Sequence, residues 1–542
     1  MHKCKVRGAS NNMERRRRVG IVGAGPSGLL ACKYVLEKGF DPIVFESEND
    51  VGGIWSSRTI ASTKLQNSKG TYRFTDFPWP ESVQEVNPPH TEVLKYMKAY
   101  AEHFGILQHI KFHSKVVGID CVGESLEEMK SWVVWGGNGK PFGSSLPSKG
   151  KWQVRVQDVR SLSIEGQVYE VEFVILCIGL YSGYPNIPDF PPNQGPEVFK
   201  GRVVHSWDYS AMGSEKAAEF VKGKRVVIVG SQKTAIDIAA ECAKANGPEF
   251  PCSMVQRTTH WTIPSETLLG INIGFLYLNR FSEFLIHKPG ESLLLSLLAT
   301  FLMPLRWGIS KMIEFYLRWK LPLKKHGMVP ELSFFQDVSS CHTCMLPDKF
   351  YDRVEEGSIV IKKSKTISFC ETGIVIGDGR LEPVVEADVV ILATGYRGDH
   401  KLRDIFDSPA LQKTITGASS IVPLYRQVIH PRIPQLAVIG YAESLSSLSA
   451  TEIRCQWLVE FLAGKFELPS VSKMEEEVRV WEKFLRRHSG GKSRRACISN
   501  FHIWNNDQFC KDMGLQSRRK KGFLRDLFMP YGPADYTGLL AD

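Results

Sequence analysis

Residues 19–28, Val-Gly-Ile-Val-Gly-Ala-Gly-Pro-Ser-Gly, constrain the fold of this chain more than any other stretch. They read as a buried strand, a Gly-x-Gly-x-x-Gly turn and the start of a helix. Gly23 permits the tight turn, Gly25 lets the backbone approach a pyrophosphate, and Gly28 lets helix pack closely on strand. Pro26 and Ser27 complete the turn, where the free N–H groups of a helix N-terminus attract phosphate oxygens. The next apolar strand, residues 43–45, ends on Glu46. An acid about 20 residues beyond such a turn accepts hydrogen bonds from ribose hydroxyls. It also repels a 2′-phosphate, so this site suits FAD or NAD and not NADP.

A chain of 542 residues is long enough for two to four domains. The net charge of +10, from 68 basic and 58 acidic residues, is mild for this length. Much of the excess sits in runs at 15–18, 494–495 and 518–521, which read as solvated ends and helix flanks. No aromatic-interleaved basic module or zinc knuckle accompanies them, so nucleic acid is not an expected partner. Residues 1–17 read as a disordered basic arm. The 12 cysteines are scattered, which points to a reducing compartment. Cys341-His342-Thr343-Cys344 lacks the second ligand pair that a zinc site needs, so no metal is expected. Two incidental cysteines or a redox dithiol are the alternatives there. Residues 293–305 are strongly apolar, fall short of the ~20 needed to span a bilayer, and are closed by Pro304 and Arg306. A helix packed inside the protein is expected, with a membrane-dipping surface as the alternative.

A second strand–turn–helix begins at Lys224. Residues 225–229 form a buried strand, followed by Gly230-Ser231-Gln232-Lys233-Thr234-Ala235 and a helix over 235–245. Gln232 stands where the second glycine is usual, and a side chain there crowds the approach to a pyrophosphate. Lys233 is expected to supply part of the lost phosphate attraction. Arg257, at the end of the following strand, is placed to accept a 2′-phosphate, which favours NADPH. Residues 170–177 and 387–394 are strands running into glycine turns and read as crossings between domains. The alternation predicts an α/β fold with two Rossmann-like dinucleotide-binding domains. A discontinuous FAD-binding domain (18–200 and 385–542) would carry an inserted NADPH-binding domain (201–384), with a helical apolar elaboration at about 266–325.

Four further motifs, in order along the chain, resemble those of the flavin-containing monooxygenase family. They are Gly52-Gly53-Ile54-Trp55 soon after Glu46, residues 74–80, the Phe-x-Gly-x-x-x-His-x-x-x-Tyr pattern from Phe199 through His205 to Tyr209, and Ala393-Thr394-Gly395-Tyr396. The likeness to a plant subgroup extends over nearly the whole chain beyond residue 17. It implies FAD at the first turn, with Gly53 and Trp55 beside it, and NADPH at the second. It implies nucleotide-side roles for His205, Thr394 and Gly395, although a packed interdomain turn also accounts for His205 and Tyr209. Gln66 falls where many members carry an asparagine that helps hold the oxygenated flavin; Asn67 serves instead if the loop shifts by one residue.

The implied reaction is hydride transfer from NADPH to FAD, then reaction with molecular oxygen through a C4a-hydroperoxyflavin. A soft nitrogen or sulfur centre of a small molecule is then oxygenated. The plant likeness adds a role in plant defence, N-hydroxylation of pipecolate or a related amine, and a cytoplasmic location, with attachment to the endoplasmic reticulum membrane as a variant. The rivals are a pyridine-nucleotide-linked disulfide reductase and a non-catalytic nucleotide-binding regulator.

Overall fold

Two five-stranded parallel sheets organise the protein. The computed structural model describes residues 16–123, 125–142, 151–161, 166–268, 270–377, 383–417, 422–488 and 496–541. Most of the basic arm and the run at 494–495 therefore lie outside the described residues. The first sheet has the order Leu436–Val438, Phe173–Leu176, Arg18–Val22, Asp41–Phe45, Ile110–Lys111. The second has the order Ile359–Lys363, Cys252–Gln256, Val226–Val229, Val389–Leu392, Arg202–His205. All pairings within both are parallel. The reason is visible in the central strands. Phe173–Leu176, Val226–Val229 and Val389–Leu392 are apolar at every position and buried at every position, as strands covered on both faces must be.

Each sheet carries the same unit at its centre. In the first, Arg18–Val22 leads into the helix Pro26–Glu37, whose first position is a proline that needs no N–H partner. In the second, Val226–Val229 leads into Lys233–Asn246, buried along Ala235–Ala240. The fold is thus α/β with two Rossmann-like units.

The strands of the second sheet all lie, in sequence, between Phe173–Leu176 and Leu436–Val438 of the first. The return crossing corrects one expected boundary. Val389–Leu392 pairs with both Arg202–His205 and Val226–Val229, so residue 385 still belongs to the second sheet's unit and the chain leaves it only after Leu392. The two crossings are tied to each other: Asn186 N–H donates to the Gly395 carbonyl at 2.9 Å, and Asn186 Nδ2 to the Thr394 carbonyl at 3.0 Å.

The apolar segment also differs from expectation. Pro304 and Arg306 do not close it; the helix runs over Leu293–Lys320 with Pro304 inside. Ser292 caps its start and Arg306 is buried. Nor is the helix packed inside the protein, since Leu293, Phe301, Phe315 and Trp319 are each more than 70% exposed. One side is anchored: Glu314 accepts from Phe334 N–H at 3.0 Å.

Candidate active site

The two glycine turns open into one cleft of about 3150 Å³. Single small-molecule pockets reach about 1,000 Å³, so this space holds more than one large ligand. Its first wall is built by the turn after Arg18–Val22. Gly23 has φ +100°, and a Cβ there would sit 2.6 Å from the Cys177 carbonyl oxygen. The turn is pinned by Gly23 N–H donating to the Phe45 carbonyl at 2.8 Å and by Gly52 N–H donating to the Ala24 carbonyl at 3.0 Å. That second bond explains the Gly-Gly-x-Trp motif. It lays Gly53, φ +59°, against Gly25, so that a Cβ on Gly53 would meet Gly25 Cα at 3.2 Å. Gly25, Pro26, Ser27, Gly53 and Trp55 all face the cleft, and Trp55 Nε1–H is held by Tyr72 at 3.1 Å.

Glu46 is buried at the floor of this wall. Its carboxylate accepts from Ala24 N–H at 2.6 Å, Glu48 N–H at 2.9 Å and Ser47 Oγ at 3.2 Å. A carboxylate has about four acceptor sites, so it is oriented by the backbone with room left for a hydroxyl donor. The paired glycine backbones and this carboxylate fit a dinucleotide of the FAD type.

Gly28 has a different job from the one expected. It does not line the cleft. A Cβ on it would meet the Gly23 carbonyl oxygen at 1.9 Å but Cys177 Cβ only at 3.7 Å. It therefore lets the helix start close on the turn itself, and affects the cleft through Gly23.

The opposite wall carries Gly230, Ser231, Lys233, Thr234 and Arg257. A Cβ on Gly230 would lie 2.5 Å from the Ala393 carbonyl oxygen. Gln232 precedes the helix with φ −103° and ψ −175°, extended backbone that any residue adopts. The turn therefore forms with glutamine in place, and the cost of Gln232 is confined to space. Lys233 differs from expectation: its ammonium pairs with Asp237, one helical turn on, at 2.5 Å. Burial lifts the Asp237 carboxyl to about pH 6, with Lys233 opposing the shift. The lysine charge is thus shared with a carboxylate and not free for phosphate. Arg257 follows the strand Cys252–Gln256, is exposed on the cleft wall, and among the described residues has no carboxylate within ion-pair distance.

His205 does not line the cleft. It is the N-cap of the helix Ser206–Ala211, its Nδ1 accepting from Trp207 N–H at 3.1 Å. Burial lowers its pKa, which keeps Nδ1 an acceptor. Tyr209 is buried behind it, donating to the Ala217 carbonyl at 3.4 Å. The His-x-x-x-Tyr pattern therefore shapes the turn that presents Trp207. Thr394 and Gly395 do line the cleft, at the crossing.

Between the walls, Gln66 is exposed to the cleft and its Oε1 accepts from Met345 N–H at 3.4 Å. Asn67 also lines the cleft, with its amide donating to the Leu445 carbonyl. The two candidate amides are thus distinguished: Asn67 fastens the loop and Gln66 faces the opposite side. Met345 belongs to a parallel pair in which Thr262 matches Cys344 and Ile263 matches Met345. Extending that register sets His260 beside His342, with ring centroids 4.7 Å apart. Asp337 lies close enough to both for a shared metal. Its two oxygens, however, accept from His260 Nδ1 at 3.0 Å and Trp261 N–H at 2.7 Å, so the trio reads as a brace for this wall.

Several cleft residues carried no sequence signal that would have found them. Lys401 is one. Its ammonium donates to Ser182 Oγ at 2.8 Å and to the Ile178 carbonyl. Burial lowers its pKa to about 8, against the pull of Glu46. Gly440 is another: a Cβ there would meet Ser27 Oγ at 2.6 Å. Glu266 faces the cleft beside Ser68, its carboxyl raised by burial. The expected dithiol alternative is overturned. Cys341 is bonded to Cys497, 156 residues away, and not to Cys344. Cys344 is a buried thiol pushed up to about 12 by desolvation, which leaves no reactive thiolate pair in this motif.

Comparison with known proteins adds an independent line. A profile described as flavin-binding monooxygenase-like matches residues 16–141 and 142–526. The probable flavin-containing monooxygenase 1 of Arabidopsis thaliana is 42% identical over 522 residues, covering 96% of each chain. Flavin-containing monooxygenase 5 of Oryctolagus cuniculus is 27% identical over 516 residues, covering 92% of this chain and 83% of its own. Among solved structures, the S-allyl-L-cysteine S-oxygenase of Allium sativum superposes with a TM-score of 0.56 at 18% identity, over 93% of this chain and 89% of its own. A steroid monooxygenase bound to NADP gives 0.62 at 16% identity, over 92% and 97%. These last two speak for the fold.

Proposed function

This chain belongs to the flavin-binding monooxygenase-like family and is an FAD-dependent monooxygenase using NADPH; from that premise we propose how its cleft divides the work. FAD lies along the first wall and NADPH along the second. The observation that carries this reading is that both glycine turns open into the same cleft, each at the end of the central strand of its own parallel sheet.

The backbone of Gly23, Gly25 and Gly53 cradles the FAD pyrophosphate, with Ser27 at the helix start. Glu46, held by three donors, accepts from its ribose. Gly230, Ser231 and Thr234 take the NADPH pyrophosphate, and Arg257 takes the 2′-phosphate as a fork of donors. FAD supplies the redox and oxygen-activating chemistry, which side chains alone do not provide. The protein positions the reactants and excludes water. Gln66, facing the middle of the cleft, offers a carboxamide donor and acceptor to the reacting ring. Thr394, Gly395 and Asn186 hold the crossing, and so set the distance between the two walls.

The substrate is a small molecule with a soft nitrogen or sulfur centre. Glu266, near the Gln66 loop, gives the cleft a carboxyl group able to meet an amine substrate, which favours pipecolate or a related cyclic amine; the role in plant defence rests on the plant likeness. The Allium sativum enzyme that shares the fold is an S-allyl-L-cysteine S-oxygenase, which keeps sulfur amino acids in the same screen. Incubating the purified protein with NADPH, oxygen and both substrate sets, followed by mass spectrometry, tests the reading. Gain of one oxygen atom by a candidate supports it. Consumption of NADPH with no oxygenated product from either set counts against it.

A further inference from the structure

The helix Leu293–Lys320 exposes most of its large apolar side chains, and the largest of them concentrate on the side that does not face the protein. At 100° per residue, Leu294, Leu297, Phe301, Met312, Phe315 and Trp319 fall within an arc of about 60°. All six are exposed, Phe301 by 79%. The buried residues Ala299, Arg306, Ser310, Ile313 and Leu317 centre roughly opposite, about 160° away. Soluble helices show the reverse arrangement, with the apolar stripe on the core. Here the core-facing side mixes Ala299, Ile313 and Leu317 with buried polar groups: Arg306 donates to Asn500 Oδ1 at 3.3 Å and Ser310 Oγ to Glu314 at 3.3 Å.

The charges follow the same geometry. Residues 293–325 contain six basic residues and one acid, Glu314, which is buried. Lys311 and Arg318 lie on one flank of the apolar stripe and Lys320 on the other, at angles of about 0°, 340° and 180° against a stripe centred near 70°. A second exposed apolar element is adjacent. The helix Phe523–Phe528 exposes Phe523 and Leu524, flanked by Arg518, Lys521 and Arg525. It packs on the short helix Arg280–Phe284, through rings of Phe281 and Phe528 5.2 Å apart. That same short helix packs on Leu293–Lys320.

We propose that Leu293–Lys320, with Phe523–Phe528 beside it, is a monotopic seat that lies in the plane of an anionic phospholipid surface. The helix is about 42 Å long and apolar enough to span, yet it cannot cross, because the face with Arg306 and Glu314 is committed to the protein. An in-plane helix buries its apolar face about 5–10 Å deep, with lysines and arginines reaching back to the headgroups. Basic flanks on both sides match anionic lipid. They disfavour a second copy of this chain as the occupant, since a two-fold contact through this stripe sets each copy's lysines and arginines against the other's.

The test uses the full FAD-loaded protein and its Phe301→Ser/Phe315→Ser/Trp319→Ser variant. The substituted side chains are exposed, and unchanged melting temperature and flavin content verify the fold. Co-sedimentation with vesicles of phosphatidylcholine containing about a third phosphatidylserine reads the partition. The wild type is expected to bind, and the variant to lose at least about tenfold in partition. Wild-type protein that stays in the supernatant overturns the proposal, as does a variant that binds equally. So does a wild-type dimer, seen by sedimentation velocity, that the three substitutions split into monomers.

Discussion

Substituting alanine for Gly25 and for Gly28, three residues apart in one turn, separates folding from cofactor binding. At Gly28 the new Cβ would sit 1.9 Å from the Gly23 carbonyl oxygen and 2.9 Å from its carbon. Gly23 cannot retreat, because its own Cβ direction is closed by the Cys177 carbonyl at 2.6 Å and its N–H is bonded to Phe45. Helix and turn must therefore separate by at least about 1 Å, at the upper end of the ~1–3 kcal/mol cost of overpacking. The apoprotein should then melt roughly 3–4 °C lower. At Gly25 the new Cβ meets only Gly53, its Cα at 3.7 Å and its N at 3.9 Å, both ordinary contacts, and φ is −70°. Alanine is free of strain there and removes unfolded-state entropy worth about 0.4–1 kcal/mol, so the apoprotein should melt at or slightly above the wild-type temperature. The methyl does, however, hold a pyrophosphate off the backbone. Losing one charge-assisted hydrogen bond of about 1.5–3 kcal/mol weakens FAD binding roughly 10- to 150-fold. Thermal melts of the apo forms and FAD titration by fluorescence quenching read the two effects. Gly25→Ala binding FAD like the wild type would refute the cradle, and a wild-type melt for Gly28→Ala would refute the steric argument.

Three further outcomes are expected. Arg257→Ala should raise the KM for NADPH by about tenfold or more while leaving NADH nearly unchanged, because only NADPH offers a 2′-phosphate; equal effects on both nucleotides contradict the assignment. Asp237→Asn should release Lys233 from its ion pair and tighten NADP binding several-fold, measured by isothermal titration; weaker binding with an unchanged melt shows that Lys233 does not face the phosphates. Lys401 has a folded pKa of about 8, below the unfolded value of about 10.4. The unfolded chain therefore holds more protons between these limits, and stability should climb with pH across that window by on the order of 3 kcal/mol. Lys401→Met should flatten the climb in denaturant titrations at matched pH; an unchanged slope removes Lys401 as its source.

Much of the fold could be read from local pattern. A strand apolar at every position, a glycine turn and a buried helix recur at 18–37 and 226–246, and both became central units of parallel sheets. Glu46 was legible because its place is set by one βαβ unit. The residues that escaped depend on contacts between distant segments. Lys401 meets Ser182 across 219 residues, and Cys341 meets Cys497 across 156. Lys233 looked like a free cation because Asp237 is merely an acid one turn along until the helix buries it. His205 and Tyr209 matched a motif, but the motif encodes a capped helix start. The apolar run at 293–305 was ambiguous for a physical reason: periodicity locates an apolar face and cannot say what covers it. Arg306 appeared to end the run because an arginine is rarely buried, yet here it lies over the Tyr277 ring at 4.0 Å.

The central claim is that one cleft brings FAD and NADPH together for oxygenation. Rapid mixing of the FAD-loaded protein with NADPH in the absence of oxygen tests it most directly. Bleaching of the oxidised flavin absorbance, faster with NADPH than with NADH, is the result this arrangement requires. Protein that keeps its FAD and binds NADPH, but whose flavin is never bleached, would contradict it and return the chain to a nucleotide-binding role without turnover.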